Sequence, residues 1–124
     1  MVTSSNITGI HHVSLIVSDT DRSVRFYTDI LGLTQTARPV LPFPGAWLQA
    51  GSQQIHLLEV ENPDPVSGRP AHGGRDRHLA LAVRSLDAIR KKLDDEDIPY
   101  TLSKSGRKAL FCRDPDGNAV EIIG

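Results

Sequence analysis

Three histidines and a glutamate, His12, His56, His78 and Glu121, are the residues of this chain best suited to chemistry, because they fall into two matched pairs. His12 and His78 open look-alike segments, His12-Val-Ser-Leu-Ile-Val17 and His78-Leu-Ala-Leu-Ala-Val83, offset by 66 positions (12 to 78). His56 and Glu121 sit in Gln54-Ile-His-Leu-Leu58 and Ala119-Val-Glu-Ile-Ile123, offset by 65 (56 to 121). Imidazole and carboxylate donors together suit borderline divalent ions such as zinc, nickel, iron, cobalt or manganese, and the absence of a thiolate donor argues against a closed structural zinc site. Four such ligands on an ion that accepts six leave two adjacent positions for water or a chelating substrate, and Glu121 could also carry a proton. Each residue alone reads as an ordinary strand histidine or surface carboxylate. Their recurrence at equivalent places of an internal repeat is what points to a metal.

The elements that must position them follow from periodicity. Residues 10 to 17 are rich in β-branched and aliphatic types and read as a strand. From Asp21 to Leu31, Val24, Tyr27, Ile30 and Leu31 recur at spacings of three and four, Ser18 and Asp19 offer caps, and Gly32 is placed to end the helix in a left-handed conformation. Strands are predicted near 33 to 38, 45 to 50 and 54 to 60, the last two joined by a turn at Ala50-Gly-Ser-Gln53. The segment Glu61 to Gly74 has three prolines and three glycines, can neither propagate a helix nor pair in a ladder, and reads as a linker. The pattern then repeats: a strand at 77 to 83, a helix from Ser85 to Asp95 with Leu86, Ile89 and Leu93 on one face, and strands near 100 to 103, 108 to 113 and 119 to 123. Asp114-Pro-Asp-Gly-Asn118 is a turn between the last two.

Strand alternation assigns faces. Val13, Leu15 and Val17, like Leu79, Leu81 and Val83, form large apolar faces that should pack on the helices. His12, Ser14, His78, Ala80 and Ala82 form a small-residue face that leaves a hollow. His56 lies opposite Ile55 and Leu57, and Glu121 opposite Val120 and Ile122, so all four candidates are expected to line one concave surface. By the same count His11 faces away, and His72, in Pro70-Ala-His-Gly-Gly74, is an exposed loop residue or part of a loop that closes over a pocket.

The 124 residues suffice for one domain, 1–124, divided into module one at about 8–60, the linker at 61–74 and module two at about 75–124. A net charge of −1, from 14 basic and 15 acidic residues, gives no footprint for nucleic acid or an anionic membrane, so the expected partner is a small molecule. The single cysteine, Cys112, excludes an internal disulfide and fits a reducing compartment; its neighbours make it an ordinary strand residue. Residues 1 to 9 carry neither the basic segment nor the apolar run of a leader, and no stretch approaches the ~20 apolar residues of a membrane span, so a cytoplasmic location is expected.

With these elements in place the chain resembles the vicinal oxygen chelate superfamily, which includes glyoxalase I, methylmalonyl-CoA epimerase, fosfomycin-resistance proteins, extradiol dioxygenases and bleomycin-resistance proteins. The resemblance is carried by Ile10-His-His-Val-Ser-Leu15, Ser23-Val-Arg-Phe-Tyr-Thr-Asp-Ile-Leu-Gly-Leu33, Arg77-His-Leu-Ala-Leu81 and Asp114-Pro-Asp-Gly-Asn-Ala-Val-Glu-Ile122, and runs nearly the whole length. It is strongest to single-domain glyoxalase I-like proteins, through Gly45-Ala-Trp47, Ile55-His-Leu57 and His72-Gly-Gly-Arg-Asp-Arg-His78. It implies an α+β fold of two tandem βαβββ modules forming a curved mixed sheet around a metal-binding cleft, with His12, His56, His78 and Glu121 at the ligand positions. It also implies a metal-dependent glyoxalase I-like lyase or isomerase that stabilises an enediolate of an oxygen-chelating substrate, including a glutathione adduct, with Glu121 as the proton shuttle. Arg107 lies near a position that is basic in glutathione-using relatives, and is the candidate for substrate binding. Typical glyoxalases use two histidines and two glutamates; here His56 stands at one glutamate position, and Asp29 where glutathione carboxylates are often met by a basic residue. Other readings on the same scaffold are an epimerase, a fosfomycin-type thiol transferase, a dioxygenase or a non-catalytic drug-binding protein. Single-domain members commonly form homodimers, some with each site built from both chains, and exposed sheet edges favour the same expectation here.

Overall fold

The computed structural model describes residues 5–124, so the reading of residues 1 to 9 as free of a leader lies partly outside the described residues. Strand β1 (His12–Val17) leads into helix α1 (Thr20–Arg25), which continues as a π-helical turn over Phe26–Ile30. Asp19 is the N-cap, its carboxylate accepting from the Arg22 amide at 3.1 Å, a contact that contributes about 1 kcal/mol. The wide turn lets Leu31 N–H reach Phe26 O, five residues back, Gly32 N–H returns to the ordinary four-residue bond with Thr28 O, and Gly32 takes φ +82°, open to glycine at no steric cost. Strands β2 (Thr34–Thr36), β3 (Gly45–Ala50) and β4 (Gln53–Glu59) complete the first module.

The second module repeats it as β5 (His78–Ala82), α2 (Leu86–Asp95), β6 (Tyr100–Leu102), β7 (Ala109–Arg113) and β8 (Ala119–Ile123), with Ser85 capping α2 through the Ala88 amide. The sheets have orders β1-β4-β3-β2 and β5-β8-β7-β6, each with one parallel pair and two antiparallel ones. Their registers coincide, Ser14 opposite His56 in one and Ala80 opposite Glu121 in the other. The duplication thus extends from residue types to hydrogen-bond register, and each module forms its own four-stranded mixed sheet.

One core serves both modules. Val17, Tyr27, Leu48, Ile55 and Leu57 from the first share it with Leu86, Leu93, Leu110, Val120 and Ile122 from the second. Each fully buried aliphatic side chain contributes roughly 1.5–3 kcal/mol, so the shared core fixes one module on the other. The expected faces hold: Val13, Leu15, Leu79 and Leu81 pack on the core, while His12, Ser14, His78, Ala80 and Ala82 are exposed. The Asp114–Asn118 turn reinforces the joint. The buried Asp114 carboxylate accepts from the Tyr27 hydroxyl at 2.8 Å, from the Asp116 and Asn118 amides, and from the Asn118 side chain, which also donates to Ile16 O. Burial raises the Asp114 pKa against these hydrogen bonds, and burial together with the adjacent carboxylate holds the Tyr27 phenol well above its usual value, so it stays a donor. Cys112 is an ordinary strand residue of β7, buried, its thiol pushed up to about 12 by burial, and therefore inert. No helix among the described residues is long and apolar enough to cross a membrane.

Candidate metal centre

Module one brings His12 and His56 together in a stack of three rings. Trp47, opposite His56 across the β3–β4 pairing, lies 3° from its plane at 4.1 Å between centroids. His12 covers the other face at 4.0 Å and 17°. His56 is consequently 7% exposed, whereas His12 stands in the open. A chain of side-chain amides sets the His56 tautomer. Gln49 Nε2 donates to the Gly51 and Gln53 carbonyls, its Oε1 accepts from Gln54 Nε2, and Gln54 Oε1 is left facing His56 Nε2 at 2.8 Å, so that Nε2 carries the proton. Burial lowers the His56 pKa, and His12, His11 and Arg38 lower it further, which keeps the ring neutral.

His11 corrects the sequence reading. Strand β1 begins at His12, so strict alternation does not extend to His11, and its ring turns back until its Nδ1 lies 2.9 Å from His12 Nδ1. That contact leaves Nε2 as the free nitrogen of His12.

Module two brings His78 and Glu121 together differently. His78 Nδ1 lies 2.9 Å from the Asp76 carbonyl oxygen, which can only accept, so Nδ1 bears hydrogen and Nε2 is directed at Glu121 Oε1, 3.2 Å away. Two acceptor lone pairs at that distance require either a second proton or a cation between them. For ion–ligand distances of 2.0–2.2 Å, adjacent ligands lie about 2.8–3.1 Å apart at right angles and about 3.3–3.6 Å apart at tetrahedral angles, so this pair is close to the spacing of neighbouring positions on a divalent ion. Glu121 is 3% exposed, and its Oε2 accepts from Arg107 Nη2 at 2.9 Å, which partly compensates the buried charge.

The surroundings of His78 were not legible as a site. Asp76, whose carbonyl orients His78, is gripped by Arg113 at 2.8 Å and Arg69 at 3.0 Å, and the Arg113 hydrogen bond holds its carboxyl below the usual carboxylate range. Arg113 also donates to Pro70 O and Gly117 O, tying the linker to the second sheet. Phe111 meets the His78 ring edge-on at 5.2 Å and 85°, and it faces Glu121 across β7–β8 as Trp47 faces His56 across β3–β4. That equivalence in the repeat was the available signal for both aromatics. His72 is half-buried: its Nδ1 meets Thr101 Oγ1 at 2.8 Å and its ring packs on Phe111, so the Gly73–Arg75 turn of the linker lies against the second sheet.

The four candidates were expected to line one concave surface, with a site within one chain or across a dimer left open; within one chain they stand as two pairs. Among the described residues no group of three or more histidine, cysteine, aspartate or glutamate side chains comes together. The pairs stand on separate sheets, and a cleft of about 360 Å³ between β1 and β5 is lined by Ser14, Ile16, Asn62, Asn118 and, of the four, His78 alone.

Comparison with known proteins agrees with this architecture. Residues 9–122 match the Glyoxalase/Bleomycin resistance protein/Dioxygenase superfamily, and the chain belongs to that superfamily. It is 33% identical over 123 residues to Glyoxylase I 4 of Arabidopsis thaliana, covering 94% of this chain and 71% of that protein. It is 29% identical to the glutathione transferase FosA of Serratia marcescens, covering 91% of this chain and 78% of that one. The fold superposes with a TM-score of 0.74 and 16% identity on a mutant of the fosfomycin resistance protein FosX of Listeria monocytogenes complexed with Mn(II) and 1S,2S-dihydroxypropylphosphonic acid, covering 95% of this chain and 92% of that one.

Proposed function

We propose that this protein is a metal-dependent enzyme of the glyoxalase I-like lyase or isomerase type, acting on a small oxygen-chelating substrate. One observation carries the reading: His78 Nε2 and the buried Glu121 Oε1 stand 3.2 Å apart with His78 Nδ1 donating to the Asp76 carbonyl, a spacing and donor pair suited to two ligands of one cation. His78, Glu121 and His12 would hold one divalent ion, of the zinc, nickel, iron, cobalt or manganese group. The fourth position, His56, differs in that its Nε2 already donates to Gln54. Because one chain offers its ligands as two separate pairs, the reading includes a homodimer in which the first-module face of one copy meets the second-module face of the other, giving two equivalent sites about a two-fold axis. Ile10, 72% exposed beside β1, is apolar surface that such a contact would cover.

The ion would act as a Lewis acid on the substrate oxygens, making the adjacent carbon more acidic. The Glu121 carboxylate then takes the proton from that carbon and returns it to the neighbouring carbon, an isomerisation that needs no other reactant. With a bound ion compensating Glu121, Arg107 would be able to bind an anionic end of the substrate. The test is the hemithioacetal of methylglyoxal and glutathione offered to protein loaded in turn with nickel, cobalt, zinc and manganese. A rise in absorbance as the thioester product forms, abolished by Glu121→Gln, is expected; no change with any metal removes the glyoxalase reaction.

A second reading, thiol addition to a phosphonate epoxide, is favoured by the similarity to FosA together with a guanidinium beside the carboxylate. Consumption of fosfomycin with glutathione would support it over isomerisation.

A further inference from the structure

We infer that His56 does not touch the ion but is a positioning residue for His12, so that the centre has three protein ligands, His12, His78 and Glu121. This rests on the metal-centre reading above. An imidazole ligates through a lone pair in the plane of its ring, at about 2.0–2.1 Å. His12 and His56 are stacked at 4.0 Å with planes 17° apart, so an ion lying in the plane of one ring is well out of the plane of the other. The two rings cannot serve the same ion while the stack stands.

Two further features hold His56 where it is. Trp47 presses on its other face, only 3° from parallel, and the Gln49–Gln54 amide chain occupies its Nε2 with a donated hydrogen bond. The ring is a floor under His12, which keeps its own Nε2 free on the exposed side. The second module makes the contrast. There the equivalent strand position is a carboxylate with Oε1 directed at His78 Nε2, and the equivalent aromatic, Phe111, meets His78 at 85° rather than stacking on it. The repeat therefore supplies two ligands from one module and one ligand with a fixed support from the other. An ion that accepts six would keep three open positions, enough for a bidentate oxygen ligand and one further group.

The experiment is cobalt(II) binding to the full-length protein, read by calorimetry, elemental analysis and the visible spectrum, for wild type, His12→Ala, His56→Phe, His56→Ala and Gln54→Leu. His56→Phe keeps an aromatic ring between Trp47 and His12 but has no donor atom. It is expected to retain one ion per site, affinity within about threefold and an unchanged spectrum. His56→Ala removes the floor and should weaken binding about 10- to 100-fold, the range for lost support of a ligand, with stoichiometry intact. His12→Ala should abolish it. Gln54→Leu frees the His56 Nε2 and should weaken binding slightly, whereas tighter binding would show that His56 ligates. Loss of the ion or displaced bands in folded His56→Phe overturns the inference and leaves the metal centre standing. A wild type that binds no cobalt overturns the metal centre itself.

Discussion

At the scale of single residues, the account turns on what each charged side chain is already doing before substrate arrives. Glu121 is buried and paired with Arg107, whose side chain is 57% exposed. Replacing Arg107 by Ala should therefore cost about 1 kcal/mol of folding free energy in urea, a modest amount because the exposed partner is screened. In turnover the same change should raise KM and leave kcat nearly untouched, since Arg107 grips a part of the substrate that does not react. Glu121→Gln should lower kcat at least about 10²- to 10⁴-fold, the contribution of a positioned proton-transfer group, and weaken metal binding as well. His11 marks the limit of residue-scale reasoning. Its position by alternation was outward, and only the place where β1 begins shows why its ring comes to His12.

At the scale of elements, the strands and helices were legible because both periodicities are clean, and every predicted strand and helix is present with its ends shifted by a few residues. The π-helical turn at Phe26–Ile30 was not, because side chains at spacings of three and four look the same whether the backbone closes with an α or a wider turn. Nor was the tie between modules, since the Tyr27–Asp114 contact joins residues 87 positions apart. Tyr27→Phe leaves the buried Asp114 short of one donor and should cost about 1.5–3 kcal/mol in urea unfolding. The linker is similarly fixed through Asp76. Because the Arg113 hydrogen bond depresses its pKa, the contribution of Asp76 is complete above the ordinary value of 3.8 and is lost as pH falls through the lower folded value. Asp76→Asn should flatten the loss of stability measured below pH 3.8. Asp114 acts in the opposite sense, since burial raises its pKa and acid relieves the cost of its charge, so it does not contribute to that loss.

At the scale of the whole molecule, the internal repeat was readable from residue types and is now seen in strand register, yet the arrangement of its two halves was not. Four ligand positions were expected on one concave surface; a chain folded around one shared core carries them as two pairs on two sheets. No spacing in the sequence distinguishes a site within one chain from one between copies, because both use the same residues and the same strand faces. Mixing inactive variants separates them. If sites are shared, His12→Ala unfolded and refolded with an equal amount of Glu121→Ala should recover about a quarter of wild-type activity, from mixed dimers with one intact site in two. If sites lie within one chain, the mixture should stay inactive. The metal itself is tested most directly by elemental analysis of the purified protein after loading and gel filtration. One divalent ion per chain in the wild type, with a near-empty centre in His78→Ala and in Glu121→Ala, is the expected result. A wild type without metal, or variants that retain a full complement, would contradict the account.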